Sequence, residues 1–231
     1  MLWRKTLVVA TAARAFTTVP VAVEQRSRRH TNVARSNFVD DLTAVATDFL
    51  SKLVPAPAPY NASNVAPGHV HRCAVKAKNL SRAPGWTTNK PSVPGMGLGL
   101  DGCAGDFNNY RSAALQNTRD RGVSIITTDV YKALTGEGWP VQHGDLGENL
   151  FVAMPYATFA VGRRFLIGMT ALVEITEAIV PCAYLCQLSY LSPRWRCNDF
   201  IRGLAGRRGW YAKVLVPGYV AVGDAVVAMP T

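Results

Sequence analysis

The sequence predicts a mainly β fold, a barrel or a sandwich, over residues 69–231 of the 231-residue chain. Three observations lead to this fold class. The apolar residues fall in many short runs, glycine and proline separate those runs at close intervals, and one stretch stands out as the best helix of the region. Short strands joined by frequent turns are typical of barrels and sandwiches.

Each predicted strand is a run of β-branched or alternating residues. Gly122–Thr127 is the clearest, because its β-branched residues suit a buried strand. The other runs are Val70–Lys78, Glu148–Val152, Thr158–Val161, Arg164–Ile167, Ala171–Thr176, Tyr211–Val216 and Ala225–Met229. Thr128–Thr135 is the predicted helix, with Thr128 or Asp129 as its N-cap.

The N-terminal segment 1–35 carries seven Arg or Lys residues and one acid, Glu24. Such a composition is typical of an organelle-targeting peptide, which is set apart from the fold. Arg14–Thr17 resembles a mitochondrial processing site, and Ala13–Phe16 resembles the junction of bipartite plastid signals. We expect a mitochondrial location, with the plastid as the alternative. A disordered basic tail without a targeting role fits the same composition.

Residues 36–68 are predicted to form a helix followed by a linker. Asp40–Val54 places apolar residues on one helical face, with acids in the first turn. Pro55–Pro59 then ends the helix and begins a stiff segment. The predicted domain boundary lies near Gly68, so the β domain covers 69–231.

The charge distribution argues against a nucleic-acid-binding role. Residues 36–231 hold 18 basic and 14 acidic residues, a net charge of only +4. They show basic pairs, such as Arg163–Arg164, but no basic stripe with interleaved aromatics. No apolar run approaches the roughly 20 residues of a membrane-spanning helix.

The five cysteines do not follow a disulfide spacing pattern, which favours a reducing compartment or at least one free thiol. Cys186 and Cys197 follow Cys182 and could resolve a sulfur adduct on it; a zinc site is disfavoured by their spacing. His69, His71 and Cys73 share one face if they lie on a regular strand, and a metal there is the minor alternative. His143 is expected in a loop.

An ordered series of short motifs resembles the MOSC family, named for the C-terminal domain of molybdenum cofactor sulfurases. The resemblance covers roughly residues 70–230. The matching segments are Gly105-Asp106, Arg121-Gly-Val-Ser-Ile125, Gly147-Glu-Asn-Leu150, Val161-Gly-Arg-Arg164, Val173-Glu-Ile-Thr176, Pro181-Cys182, Gly209-Trp-Tyr211 and Gly223-Asp224. The resemblance implies a MOSC-type β-barrel with a few short helices. Asp106–Arg111 departs from the Arg-His that many members carry after this Asp.

Cys182 is the predicted reactive residue, because the resemblance implies that this cysteine ligates molybdenum or carries a persulfide. A soft thiolate suits both tasks. The residues predicted to bind the molybdenum cofactor are Arg121, Gly147, Glu148, Asn149, Arg207, Arg208, Trp210 and Tyr211. The arginines would bind its phosphate, Asn149 the pterin edge, and the aromatics its face. Surface positions for the arginines, a capped turn at Asn149, and a core position for one aromatic are the alternatives.

The resemblance implies a molybdenum cofactor-binding protein that reduces N-hydroxylated compounds with an external electron donor, or transfers sulfur received from a cysteine desulfurase. A non-catalytic carrier of cofactor or sulfur is the alternative, and a barrel that has lost its activity is a third. The resemblance does not extend to the desulfurase domain of the full sulfurases, so pyridoxal phosphate is not expected.

Overall fold

The computed structural model describes residues 65–82 and 85–230. The predicted targeting peptide, and all but the last few residues of the predicted helix and linker, lie outside this part of the chain. The described strands are β1 Gly68–Ala74, β2 Ser92–Val93, β3 Gly95–Gly99, β4 Gly102–Cys103, β5 Val123–Thr127, β6 Leu150–Ala153, β7 Arg164–Ile167, β8 Ala171–Ala178, β9 Trp210–Val216, β10 Gly218–Ala221 and β11 Ala225–Ala228. The described α-helices are α1 Asn109–Ala114, α2 Thr128–Gly136 and α3 Arg194–Gly203.

Seven of the described strands close into a mixed β-barrel, which confirms the predicted fold class. The order around the barrel is β11-β7-β8-β9-β5-β6-β1, and β1 pairs again with β11 to close it. β5 and β6 are parallel neighbours joined through α2, and the other barrel pairs are antiparallel. A crossover helix is the usual way to join parallel strands. A smaller described sheet has the order β10-β3-β4.

Two apolar clusters lie on opposite faces of the barrel wall. Ile125 and Leu150 point into the barrel interior, whereas Ile126 and Phe151 belong to a second cluster with α2 and α3. All five residues of β5 are therefore buried. This explains why the β-branched segment shows no regular alternation of polar and apolar residues, because a strand covered on both faces does not require it.

Several predicted elements differ in detail from the structure. Thr158–Val161 is not a strand: a 3-10 turn covers Tyr156–Thr158, and Phe159 packs on Phe165 in the core. The turn begins after Pro155, whose carbonyl accepts from the amide of Thr158 at 2.9 Å. The N-cap of α2 is Thr127, one residue earlier than predicted. Asp129 instead accepts hydrogen bonds from Thr127, Val130 and Tyr156.

Candidate functional site

A cavity of about 400 Å³ opens at one end of the barrel. Its walls come from segments just before β5, β6 and β9, from the segment after β8, and from the loop between β1 and β2. The cavity brings together Cys182, Arg121, Gly147, Arg208 and Tyr211 of the predicted site. Other lining residues include Lys76, Trp86, Lys90, Phe107, Asn108, Tyr110, Ser124, Glu177 and Tyr184. Cavities of this size are typical of small-molecule sites.

Cys182 is the exposed free thiol of the described residues. It has an extended backbone at the start of the 3-10 turn Ala183–Gln187. The segment that leads to it is held by a hydrogen bond of 2.8 Å from the Ile179 amide to the Gly209 carbonyl. Because Gly209 directly follows Arg208, this bond fixes the thiol loop relative to that arginine.

The other two free cysteines are shielded within the protein. Cys73 and Cys103 are buried in the barrel core. Burial, with the nearby Asp224 carboxylate, raises the pKa of Cys73 to about 11. Burial also raises the pKa of Cys103. Both thiols therefore stay protonated at neutral pH, and a protonated thiol is a poor nucleophile.

We expect a single fast-reacting thiol when the native protein meets iodoacetamide at pH 8. Intact mass spectrometry should show one adduct, peptide mapping should place it on Cys182, and the C182A variant should show none. In denaturant without reductant three thiols should react, because Cys186 and Cys197 are paired. Fast labelling of Cys73 or Cys103 in the native protein would contradict this arrangement.

Arg208 is a buried cation that opens onto the cavity. Its residue is 7 % exposed, and its Nε has no hydrogen-bond partner among the described residues. Leaving a buried donor unpaired costs about 1–3 kcal/mol, and a ligand in the cavity that accepts a hydrogen bond from this Nε would remove that cost. Gly209 follows with a φ of +112°, and a Cβ there would lie 2.5 Å from the Ile125 carbonyl oxygen. Only glycine allows this close approach of the Arg208 segment to β5.

Arg121 lines the cavity but is already paired. Its guanidinium binds the Glu177 carboxylate through two hydrogen bonds, one of them 2.8 Å long. It also lies 5.1 Å from the centre of the Tyr211 ring. The Glu177 carboxylate raises the pKa of Arg121 further. To bind an anion, Arg121 would first have to break its hydrogen bonds to Glu177. Arg208 is therefore the better candidate for the residue that binds an anion.

Lysine residues contribute positive charge that the sequence did not point to. Lys76 and Lys90 both line the cavity and are largely buried. Lys90 pairs with Asp106 at 2.8 Å, whereas Lys76 donates to the Thr87 carbonyl and lies 5.5 Å from the Trp86 ring. Burial, and the charge of Lys90, lower the pKa of Lys76. These lysines lie outside the recognised motifs, and only their fold position brings them to the site.

Comparisons with known proteins identify the family of this domain. The family model of the MOSC domain matches residues 107–227, which is more than half of the chain. The chain belongs to the MOSC domain family. No curated protein is similar to it at a significant level.

Solved structures with the same fold include two bacterial proteins. The YuaD protein from Bacillus subtilis is 18 % identical, with a TM-score of 0.60 over 73 % of this chain and 98 % of its own. YiiM from Geobacillus stearothermophilus is 18 % identical, with a TM-score of 0.50 over 70 % of this chain and 75 % of its own. At this identity the likeness establishes the shared fold alone.

Glu148 and Asn149 of the MOSC domain do not line the cavity but hold its wall. Asn149 accepts from the Ser124 amide and hydroxyl at 3.1 and 2.8 Å and donates to the Ala74 carbonyl at 3.1 Å. Its amide is thus already engaged by the protein, which differs from the predicted contact with a pterin edge. Ser124 Oγ also donates to the carbonyl of Gly147. Asn149 therefore does not line the cavity itself but supports Ser124 and, through it, Gly147, which both line the cavity.

Glu148 is the centre of a buried polar network. Its residue is 1 % exposed, and its carboxylate accepts from Arg72 at 3.2 Å, Tyr131 at 3.2 Å and the Gly144 amide at 2.6 Å. Burial raises the pKa of Glu148, while Arg72, the Gly144 amide and the more distant Arg208 act in the opposite direction. The Glu148 carboxyl group is thus the ion-pair partner of Arg72 behind the cavity wall.

Two residues predicted to bind cofactor lie elsewhere in the MOSC domain. Arg207 forms a bidentate pair with Glu137 at 2.5 and 2.6 Å, and it does not line the cavity. Trp210 packs on Tyr156, with ring centres 5.5 Å apart, and contacts the core. Arg207 and Arg208 therefore have different environments, since only Arg208 lines the cavity. Of the two aromatic residues, Trp210 contacts the core and Tyr211 faces the cavity.

The remaining cysteine and histidine predictions are corrected by the structure. Cys186 and Cys197 form a disulfide between the Ala183–Gln187 turn and α3, so neither is free to resolve an adduct on Cys182. A register shift between Val70 and Arg72 breaks the alternation of β1. Cys73 consequently points into the core, while His69 and His71 are exposed. Among the described residues no group of three His, Cys, Asp or Glu is placed to hold a metal ion.

No helix in the described part of the chain is long and apolar enough to cross a membrane.

Proposed function

We propose that the MOSC domain binds the molybdenum cofactor in the Cys182 cavity and acts as a reductase of N-hydroxylated compounds. One observation carries this proposal: an exposed thiol opens into the same cavity as a buried guanidinium whose Nε has no hydrogen-bond partner among the described residues. The cofactor combines a soft metal with a phosphate-bearing pterin, and these two groups require a thiolate and a cation, respectively. When bound, it would supply the two-electron redox chemistry.

The residues present fit the cofactor. Cys182 would ligate the metal, and Arg208 would bind the phosphate with its free Nε donor. Lys76 would add positive charge on the same wall, and Tyr211 would offer an aromatic face. The cavity volume of about 400 Å³ is within the range of small-molecule sites. Reduction also requires an external electron donor and access for a small substrate, which the open cavity mouth allows.

Sulfur transfer is the second candidate, and the exposure of Cys182 favours it. A desulfurase must bring its own persulfide to the accepting thiol, so that thiol must be accessible to another protein. The pairing of Cys186 with Cys197 leaves no neighbouring thiol, among the described cysteines, that would discharge a persulfide on Cys182. Under this second proposal the domain receives sulfur on Cys182 and delivers it to an acceptor. A domain that only stores and delivers sulfur, without catalysing a reaction, is the non-catalytic form of the same proposal.

The test is metal and pterin analysis of the full chain produced in a host that makes the cofactor. We expect wild type to contain molybdenum and a fluorescent pterin oxidation product, and C182A to retain pterin with several-fold less molybdenum. C103A removes a cysteine outside the cavity lining and serves as the control, with thermal melting to verify folding.

Each outcome separates the candidates. Loss of molybdenum in C182A alone supports metal ligation by Cys182. Molybdenum and pterin that are both unchanged in C182A overturn ligation and favour sulfur transfer. Wild type that contains neither molybdenum nor pterin overturns the cofactor-binding proposal.

A further inference from the structure

A second cavity, of about 530 Å³, lies on the outer face of the barrel beside α2. Four ring-bearing residues form its wall: His71, Tyr131, His143 and Phe151. Lys132 and Thr128 of α2 lie at its edge. The described lining of this cavity shares no residue with the Cys182 cavity, so the proposed function does not account for it.

The aromatic wall is a connected cluster. Phe151 lies 4.6 Å from His143, 4.8 Å from Tyr131 and 5.2 Å from His71, measured between ring centres. His71 and His143 meet edge to face at 5.6 Å. Such spacings are those of favourable aromatic pairs. Phe151 and Tyr131 are buried, so the rings of this wall that a ligand can contact are the exposed imidazoles of His71 and His143.

Hydrogen bonds to the buried Glu148 carboxylate hold the aromatic wall in place. Tyr131 is 4 % exposed, and its hydroxyl donates to the buried Glu148 carboxylate at 3.2 Å. His143 precedes Gly144, whose amide donates to the same carboxylate at 2.6 Å. These bonds exist without a ligand, so the cavity is preformed and a ligand would not have to order it.

The charged side chain at this cavity is a cation, and its other polar side chains can each donate a hydrogen bond. Lys132 is exposed, and within residues 65–82 and 85–230 it makes no ion pair. Thr128 adds a hydroxyl, and each neutral imidazole has one N–H. No carboxylate is among the described lining residues. The nearby Glu148 carboxylate is separated from the cavity by Tyr131, which donates a hydrogen bond to it. A ligand that complements these groups carries negative charge.

We propose that this second cavity binds a planar aromatic ligand that carries an anionic group. The ring lies against the exposed imidazoles of His71 and His143, which pack on the buried Phe151, and the anion lies toward Lys132. The cavity volume accommodates one or two fused rings. A carboxylate and a phosphate ester present the same charge to the lysine, and the two are compared by using each as the probe.

A metal ion is less well suited to the two histidines. Stable zinc sites use three or four protein ligands, and the described residues contain no group of three candidate ligands. Tyr131 is also engaged by Glu148. Zinc binding is therefore treated as a competing outcome of the test.

The test is isothermal titration calorimetry of the full chain with 2-naphthoate and with 2-naphthyl phosphate. We expect the tighter of the two to bind at least about tenfold more tightly than 2-naphthol, which lacks the anion, or cyclohexanecarboxylate, which lacks the aromatic ring. K132Q and H71A should each weaken binding roughly three- to tenfold. H69A removes an exposed histidine of the same strand that does not line the cavity, and it should leave binding unchanged.

Three results would overturn the proposal. The first is equal binding of the aromatic anions and the two comparison compounds. The second is loss of binding in R208Q with no change in K132Q, which would place the ligand in the Cys182 cavity. The third is zinc chloride binding that depends on His71, together with no binding of either naphthyl anion. Melting temperatures of the variants verify that each exposed-site substitution leaves the fold intact.

Discussion

Replacing Glu148 with alanine is expected to lower the free energy of unfolding by about 3–5 kcal/mol. The substitution removes the acceptor of three buried donors: the Arg72 guanidinium, the Tyr131 hydroxyl and the Gly144 amide. Arg72 would remain buried without its carboxylate, and a buried charge that loses its partner is strongly destabilising. Urea denaturation followed by tryptophan fluorescence gives the measurement.

E137A is the matched control for this stability measurement. Glu137 also forms a carboxylate–arginine pair, but its side chain is exposed at the surface. Water replaces the lost partner there, so we expect little change in the unfolding midpoint. If E148A is no more destabilised than E137A, the buried network does not contribute to the stability of the fold.

On the proposal that the cavity binds the molybdenum cofactor, replacing Arg208 with glutamine is expected to weaken retention of the pterin by about ten- to a hundredfold. A hydrogen bond to a charged group contributes about 1.5–3 kcal/mol, which corresponds to this factor in affinity. The measurement is the pterin content per chain after gel filtration, as a function of dilution. R208K keeps the charge without the planar guanidinium and should be intermediate, because lysine lacks the bidentate donor geometry.

The neighbouring arginine provides a strict control. R207Q removes the same chemical group one position earlier, but Arg207 is paired with Glu137 away from the cavity. We expect R207Q to retain pterin as wild type does. Equal losses in R207Q and R208Q would indicate a general effect of positive charge and would contradict the assignment of Arg208. A normal melting temperature for R208Q separates lost binding from lost folding.

Much of the barrel could be predicted from local patterns. The predicted strand Arg164–Ile167 has the same bounds as β7, and the predictions for β5 and α2 agree with the structure within one residue. The short strands β2 and β4 could not be predicted, because two residues carry no periodicity. α3 was missed because its buried positions are few, Cys197 and Phe200 among mainly polar residues. Its helical conformation is supported by packing and by the disulfide to Cys186.

The motifs predicted which residue types are present at the candidate site, but not which of those residues are free to bind a ligand. Residue type could indicate that arginines were available, but it could not indicate that Arg121 and Arg207 already have carboxylate partners. Those partners, Glu177 and Glu137, are 56 and 70 residues away along the chain. Lys76 and Trp86 reach the cavity through a loop that has no recognisable pattern. Pairings between residues that are distant in sequence form only when the barrel folds, so they cannot be predicted from the local patterns of a single sequence.

The closure of the barrel between β1 and β11 has a consequence for biosynthesis. Strand Ala225–Ala228 is the piece that joins β7 to β1. Until these residues emerge from the ribosome, both of those strands present an edge with unpaired amides and carbonyls. Free edges of this kind invite pairing with other chains. The nascent domain therefore passes through a period in which these two strand edges are open to pairing with other chains.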